Sequence, residues 1–292
     1  MPITGVGVTA VAVAAARALE STRSDALIHD PWAALLVRAA DVSTPFPERW
    51  PDRLDEVSPV DHSMLLGAMY IGMRTRFIDD ELRAAGLPQV AVLGSGLDTR
   101  SWRLDWSAGT RVFELDTPEV VAFVEAAMTV AGVAVRCRRT AVPADVTKPW
   151  ALTLVRAGFD PGTPAHWVLE GLLPYLTAHD QRQVLDDVLA LSAPGSRAVI
   201  ERAPALTDTP ETRERLVAFS SATGIPLEDL LARTDPPDPA TVLFDAGWDV
   251  EEVSVPDLEL RYARRLVVDR GDAAASGDGS SRGGFVIARR PE

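Results

Sequence analysis

From Gln89 onward the chain repeats one pattern: a short apolar or β-branched run, a turn, then a helix-like stretch. The runs are "QVAVLGSG", "TRVFELD", "AVRCRRTAVPAD", "AHWVLEG" and "SRAVIER". Short apolar runs spaced by helices predict five successive βα units, and hence a parallel sheet covered on both faces. Two last strands, "GWDVEEVSV" and "GGFVIARR", extend it. A doubly wound α/β sheet of this kind holds its ligands in the crevice at the carboxyl ends of the strands. The residues just after each run are therefore where function is to be sought.

The remainder of the chain surrounds this core. Helices are expected at Val8 to Glu20, Pro31 to Ala40 and Asp61 to Ala85, joined by the proline-rich connector "VSTPFPERWPDRLDEVSP". After Arg202 a polar, helix-capable insert bounded by prolines precedes the last two strands, and "DRGDAAASGDGSSRGG" between those strands reads as a surface loop. The expected organisation is a helical cap over 1–85, an α/β core over 86–203, an insert over 204–240 and the completing strands over 241–292.

Composition narrows the partners. With 42 acidic against 29 basic residues the net charge is -13, which repels polyanions, so no nucleic-acid partner is expected. The single cysteine, Cys137, excludes an intramolecular disulfide and suits a reducing cytoplasm. The apolar start "MPITGVGVTAVAVAAARALE" lacks a basic leader, and Arg17 interrupts it short of the roughly 20 apolar residues a membrane span needs. An amphipathic helix, a cytoplasmic location and no membrane partner follow as expectations.

The turn after the first run, "GSGLDTRSWRL", carries the first chemistry. Glycines after a strand let backbone N–H groups approach a ligand with no Cβ in the way. A dinucleotide fingerprint wants a third glycine where Thr99 stands, which counts against a NAD-dependent reductase, and no phosphate loop of the GxxxxGK[ST] type occurs. What remains is Gly94 and Gly96 followed, 20 positions after Gly96, by Asp116 of "FELD", where a carboxylate can accept both hydroxyls of a ribose. A ribose site without a phosphate cradle fits an adenosine ligand such as S-adenosylmethionine (SAM). A plain βα turn with Asp116 capping the next helix is the other reading.

Further candidates follow the third and fourth runs. Asp145 and Val146 of "AVPADVTKPW" are placed to take an adenine amino group and a ring nitrogen, and Glu170 of "WVLEGLLPYL" to face the crevice, although each alone could be a cap or a solvated acid. In "HSMLLGAMYIGMRTRFIDDEL" the apolar stripe Leu66, Tyr70, Phe77 and Ile78 includes Arg74 and leaves Arg76 outside it. A buried arginine needs an anionic partner, either a ligand carboxylate or an internal acid. His62 and His179 sit near expected helix starts, where Thr177 with Asp180 resembles a capping box, His29 and His166 have no metal-ligand spacing, and no metal site is expected. Trp102, Trp106, Trp150 and Trp167 read as core or crevice wall.

"VAVLGSGLDTRSWRL", "RVFELDTPEVVAF", "WVLEGLLPYLTAHDQRQVLDDVLALSAPGSRAVIE" and "GVTAVAVAAARALESTRSDALIHDPWAALLV" together resemble the leucine carboxyl methyltransferase family. That resemblance implies a class I SAM-dependent methyltransferase fold, Rossmann-like, closed by an antiparallel hairpin of the final two strands. It implies that Arg74 binds the SAM carboxylate, Gly94 lines the methionyl moiety, Asp116 holds the ribose, and Asp145 with Val146 the adenine. It also brings Glu170 to the cofactor and Arg17 of "AAARALE" near a cofactor or substrate carboxylate. Val146 stands where the family has Leu, and Pro174 where it has Met.

The activity so implied is O-methylation of a carboxylate or acidic hydroxyl on a small, largely apolar acceptor, with Tyr175 and Glu170 as candidate catalytic residues. "EGLLPYL" and the insert residues Leu216, Phe219 and Ile225 are expected to line the acceptor pocket. A carboxylate acceptor is already ionised at neutral pH, so orientation and desolvation suffice. A SAM-binding protein without turnover, an interaction protein and a protein carboxyl methyltransferase are the alternatives. The oligomeric state is not legible.

Overall fold

The computed structural model describes residues 6–53, 57–202, 236–266 and 283–292, with the single positions 220 and 231. The insert residues Leu216, Phe219 and Ile225 and the Gly/Ser-rich stretch 267–282 lie outside the described residues.

Three helices come first: α1 (Val6–Glu20), α2 (Pro31–Ala40) and α3 (Pro59–Ala85). α3 begins two residues before the expected start because Ser58 accepts from Asp61 N at 3.1 Å and Pro59, with its φ already helical, fills the first turn. It ends at Gly86, whose φ of 56° is the left-handed cap that glycine adopts without strain. Gly72 lets α1 cross α3 closely: a Cβ there would stand 2.6 Å from Glu20 Cγ.

All seven expected strands form: β1 (Gln89–Leu93), β2 (Arg111–Asp116), β3 (Arg138–Pro143), β4 (Ala165–Leu169), β5 (Arg197–Arg202), β6 (Asp249–Ser254) and β7 (Gly284–Arg289). Their order in the sheet is β3-β2-β1-β4-β5-β7-β6. The first five are parallel, and β7 runs antiparallel between β5 and β6, so the terminal hairpin is present. Helices α4 (Arg100–Arg103), α5 (Pro118–Val130), α6 (Ala151–Arg156) and α7 (Ala178–Ala190) make the crossovers, with α8 (Pro239–Asp245) and α9 (Val255–Arg261) flanking β6. β6 stops at Ser254 because Ser254 and Asp257 form a capping box that starts α9.

Because β1 and β4 are buried along their whole length, both sheet faces are covered. On one face Leu93, Phe113, Trp167 and Ile200 pack with Trp150 and Phe159. On the other, Val90, Val92, Val168 and Val199 meet Met73, Phe77 and Ile78 of α3. Trp102 is buried in a third cluster with α1, α2 and α5, and Trp106 lies partly buried beneath α3. Among the described residues no helix is long and apolar enough to cross a membrane. The strand order reverses between β1 and β4, so the crevice opens at their carboxyl ends.

Candidate active site

A cavity of about 470 Å³ occupies that crevice, within the size range of small-molecule sites. Arg17, Arg74, Gly94, Gly96, Asp116, Asp145, Val146, Glu170 and Tyr175 all line it. They come from six separate parts of the chain, and the strand ends bring them together.

β1 delivers the glycine turn. Gly94 and Gly96 have φ of 64° and 51°, left-handed values that a side chain would strain. A Cβ at Gly94 would come within 2.8 Å of Leu172, and one at Gly96 within 3.1 Å of Ala10, so both glycines also admit neighbouring elements to the cavity wall. Ser95 N donates to Leu115 O at 2.9 Å, drawing the turn across the end of β2.

There Asp116 Oδ2 accepts from Gly96 N at 2.6 Å and Oδ1 from Thr117 N at 2.7 Å. Its carboxylate thus joins the turn to its own strand end and bonds no donor deeper in α5. Burial pushes its pKa up, against the lowering effect of these N–H groups. At the end of β3, Asp145 accepts from both Thr147 N at 2.8 Å and Thr147 Oγ1 at 2.7 Å, leaving Val146 buried beside it.

Glu170, just after β4, sits between two guanidinium groups: Arg74 Nε at 2.8 Å and Arg100 Nη1 at 2.7 Å. Burial would raise its pKa, but Arg100 and Arg74 together hold it down at about 2. Such a carboxylate is a fixed negative charge near neutrality rather than a proton acceptor. Arg74 is buried, and its second partner is Glu201, 2.9 Å from Nη1. Although Arg74 Nε is close to Glu170, it is not aligned to donate a hydrogen bond to it and has no other acceptor. Arg74 Nε therefore meets Glu170 as an ion pair rather than through a hydrogen bond, at a fully buried atom. Arg76 lies off this face as expected, paired with Asp80 at 2.9 Å.

The residues after the glycines explain why so polar a turn follows so buried a strand. Leu97 O accepts from Arg17 Nη2 at 2.5 Å, and Thr99 Oγ1 donates to Asp30 Oδ2, which Arg17 Nε also meets at 2.9 Å. Arg100 reaches Asp98, Asp79 and Glu170, while Arg103 forks onto Asp79. One continuous ion-pair network thereby ties α1, α2 and α3 to the strand ends. Sequence reasoning missed Asp30, Asp79, Asp98 and Glu201 as its members. The only local signal was the DTR run itself, which contains Asp98, since the other partners lie tens of residues away.

Tyr175, in a single 3₁₀ turn at Leu173–Tyr175, hydrogen-bonds the Thr9 side chain, and burial pushes its hydroxyl's pKa up. Ala10, Val13, Leu172 and Leu176 make the nearby wall apolar. The histidines stand apart: His29 and His179 are exposed, and Thr177 caps α7 through Asp180 N. His166 is buried in β4 without a hydrogen-bond partner, and burial lowers its pKa to about 3, so it is neutral. No group of residues suited to a metal ion occurs among the described residues.

This chain is similar in sequence and fold to several known proteins. A Saccharopolyspora erythraea protein whose name provisionally assigns it S-adenosyl-L-methionine-dependent methyltransferase activity is 42% identical over 267 residues, 90% of each chain. A Mycolicibacterium vanbaalenii protein of the same name is 37% identical over 300 residues, covering 100% of this chain and 97% of that one. A DUF574-family protein of Streptomyces avermitilis shares the fold at a TM-score of 0.53 and 15% identity, over 96% of this chain and 100% of that one. A Thermobifida fusca structure, provisionally named a methyltransferase, does so at 0.50 and 20% identity, over 95% and 96%. The family profile described as leucine carboxyl methyltransferase matches residues 10–189, and the chain belongs to that family.

Proposed function

We propose that this chain is a SAM-dependent O-methyltransferase whose acceptor is a carboxylate or acidic hydroxyl on a small, largely apolar molecule. Methyltransferase class and SAM dependence accord with the family and the named relatives. The observation that carries the reading is the convergence of the glycine turn, Asp116, Asp145, Arg74 and Glu170 on one cavity.

The residues present fit SAM. Glycines at a strand end leave the backbone open to a ligand, Asp116 lies where a ribose is held in sheets of this topology, and Arg74 brings a guanidinium to the cavity wall where a carboxylate can meet it. When bound, SAM supplies an electrophilic methyl group on a sulfonium that is already a good leaving group. Arg74 would hold its carboxylate, Asp116 its ribose hydroxyls, and Asp145 with the Val146 N–H its adenine. Arg17 braces the Leu97 carbonyl beside the turn. Glu170 contributes a fixed charge between two arginines.

For the acceptor, Ala10, Val13, Leu172 and Leu176 offer an apolar wall that excludes water, and the Tyr175 hydroxyl offers one polar contact that orients it. With Glu170 held ionised and Tyr175 held protonated, neither is suited to take a proton near neutrality. An acceptor that is already ionised suits that arrangement. Methyl-labelled SAM offered with a panel of small carboxylic acids, phenols, amines, thiols and peptides with a free C-terminal leucine tests the proposal. Label in a methyl ester or an aryl ether of a small acid supports it. Transfer confined to amines, thiols or the peptides contradicts it.

A further inference from the structure

Glu201, next to last in β5, is only 8% exposed, and both of its oxygens accept from protein donors. Its Oε1 accepts from the Tyr70 hydroxyl at 2.6 Å, and its Oε2 from Arg74 Nη1 at 2.9 Å and Gly171 N at 2.8 Å. Two of these donors belong to α3 and one to the turn after β4. Gly171 has a φ of 61°, and a Cβ there would lie 3.4 Å from Arg74 Nη1, so the turn presses against the guanidinium. The contacts close a ring. Glu201 holds Gly171 N, Gly171 follows Glu170, Glu170 lies 2.8 Å from Arg74 Nε, and Arg74 Nη1 returns to Glu201.

We infer that Glu201 is a positioning residue for cofactor binding: by fixing Arg74 Nη1 and the Gly171 N–H, it holds the Arg74 guanidinium where Arg74 lines the cavity. This rests on the reading that the cavity binds SAM. Two acids bracket one guanidinium, and a fork–fork pair with a single carboxylate is the geometry an arginine prefers. With Glu201 neutralised, the tie on Nη1 weakens and Arg74 can turn further onto Glu170 into such a pair, away from the position it holds at the cavity. Tyr70 prevents the same outcome from the other side, since its hydroxyl anchors Oε1 and stops the Glu201 carboxylate from turning away.

Titration calorimetry with SAM on the full chain, beside ligand-free thermal midpoints, tests this. Glu201→Gln, which preserves shape and removes charge, should weaken SAM about tenfold, the effect of losing a charge-assisted hydrogen bond on the binding arginine. Tyr70→Phe leaves the carboxylate in place and should weaken SAM about threefold, as loss of one neutral hydrogen bond does. In an Arg74→Lys background, Glu201→Gln should cost less than about twofold, because residues acting through one contact are not additive. A Glu201→Gln chain with a lower midpoint and the parent's SAM affinity would make Glu201 a structural tie only. Full additivity in the Lys background would equally overturn the inference. A parent chain that does not bind SAM removes the reading beneath it as well, and is told apart by that first titration.

Discussion

Arg100 Nη1 stands 2.7 Å from Glu170 Oε2, joining the turn behind β1 to the end of β4 across 70 residues of sequence. The same guanidinium donates to Asp79 at 2.8 Å and to Asp98 at 2.6 Å, so the crevice between the two central strands is braced by charge before any ligand enters it. Buried pairs of this kind stabilise little in net terms, yet breaking one leaves an uncompensated charge that costs about 3 to 5 kcal/mol. The network is therefore sensitive to the loss of any one member.

Glu170 gives the pH signature. Its folded pKa of about 2 lies below the ordinary 4.5, so the stabilisation from its pairs is fully present above the ordinary value and is lost as pH falls toward the folded one. Glu170→Gln should lower stability at neutral pH by about 3 kcal/mol. Its unfolding midpoint should also fall less steeply than the parent's between about pH 4.5 and pH 2. Urea titrations across that window read both. Identical slopes would show that Glu170 is not held by Arg74 and Arg100.

Asp79 separates scaffold from ligand contact. It is buried, accepts from both Arg100 and Arg103, and these guanidinium groups hold its pKa low against burial. Asp79→Asn should cost about 3 kcal/mol in chemical denaturation. A loss under about 0.5 kcal/mol, the range of ordinary surface changes, would count against the network.

Seven strands and the three N-terminal helices are legible in the sequence because each rests on local signals, β-branched runs and apolar helical stretches, while the Ser58 cap and Pro59 start α3 two residues before the expected Asp61. Arg74 is legible as a buried cation needing an acid, and the structure provides Glu170 and Glu201 as internal partners. Those partners were not readable, since Glu201 lies 127 residues from Arg74 and only the sheet order makes them neighbours. β3 is shorter than its run suggests: it starts at Arg138, after the segment whose Arg136 N bonds to Ser101 O. Helix α9 was missed because its capping box at Ser254 follows a strand without any glycine or proline break before it.

Asp116 provides the most direct side-chain test of ribose binding. Asp116→Ala should weaken SAM by about 1.5 to 3 kcal/mol, as expected for hydrogen bonds to a charged group. Asp116→Asn should bind poorly as well, because its amide would set N–H donors against Gly96 N or Thr117 N, which the carboxylate now accepts. Calorimetry on both variants measures this. An Asn variant with the parent's affinity would reduce Asp116 to a tie between the glycine turn and β2.

The central claim is that this cavity binds SAM, and the thermal midpoint of the unaltered chain tests it in one experiment. A ligand that binds only the folded state stabilises it by about 2.7 kcal/mol at a hundredfold excess over its dissociation constant, an upward shift of several degrees. SAM or its demethylated product should produce that shift, while NAD at the same concentration should leave the midpoint where it was. A shift with NAD and none with SAM would contradict the account.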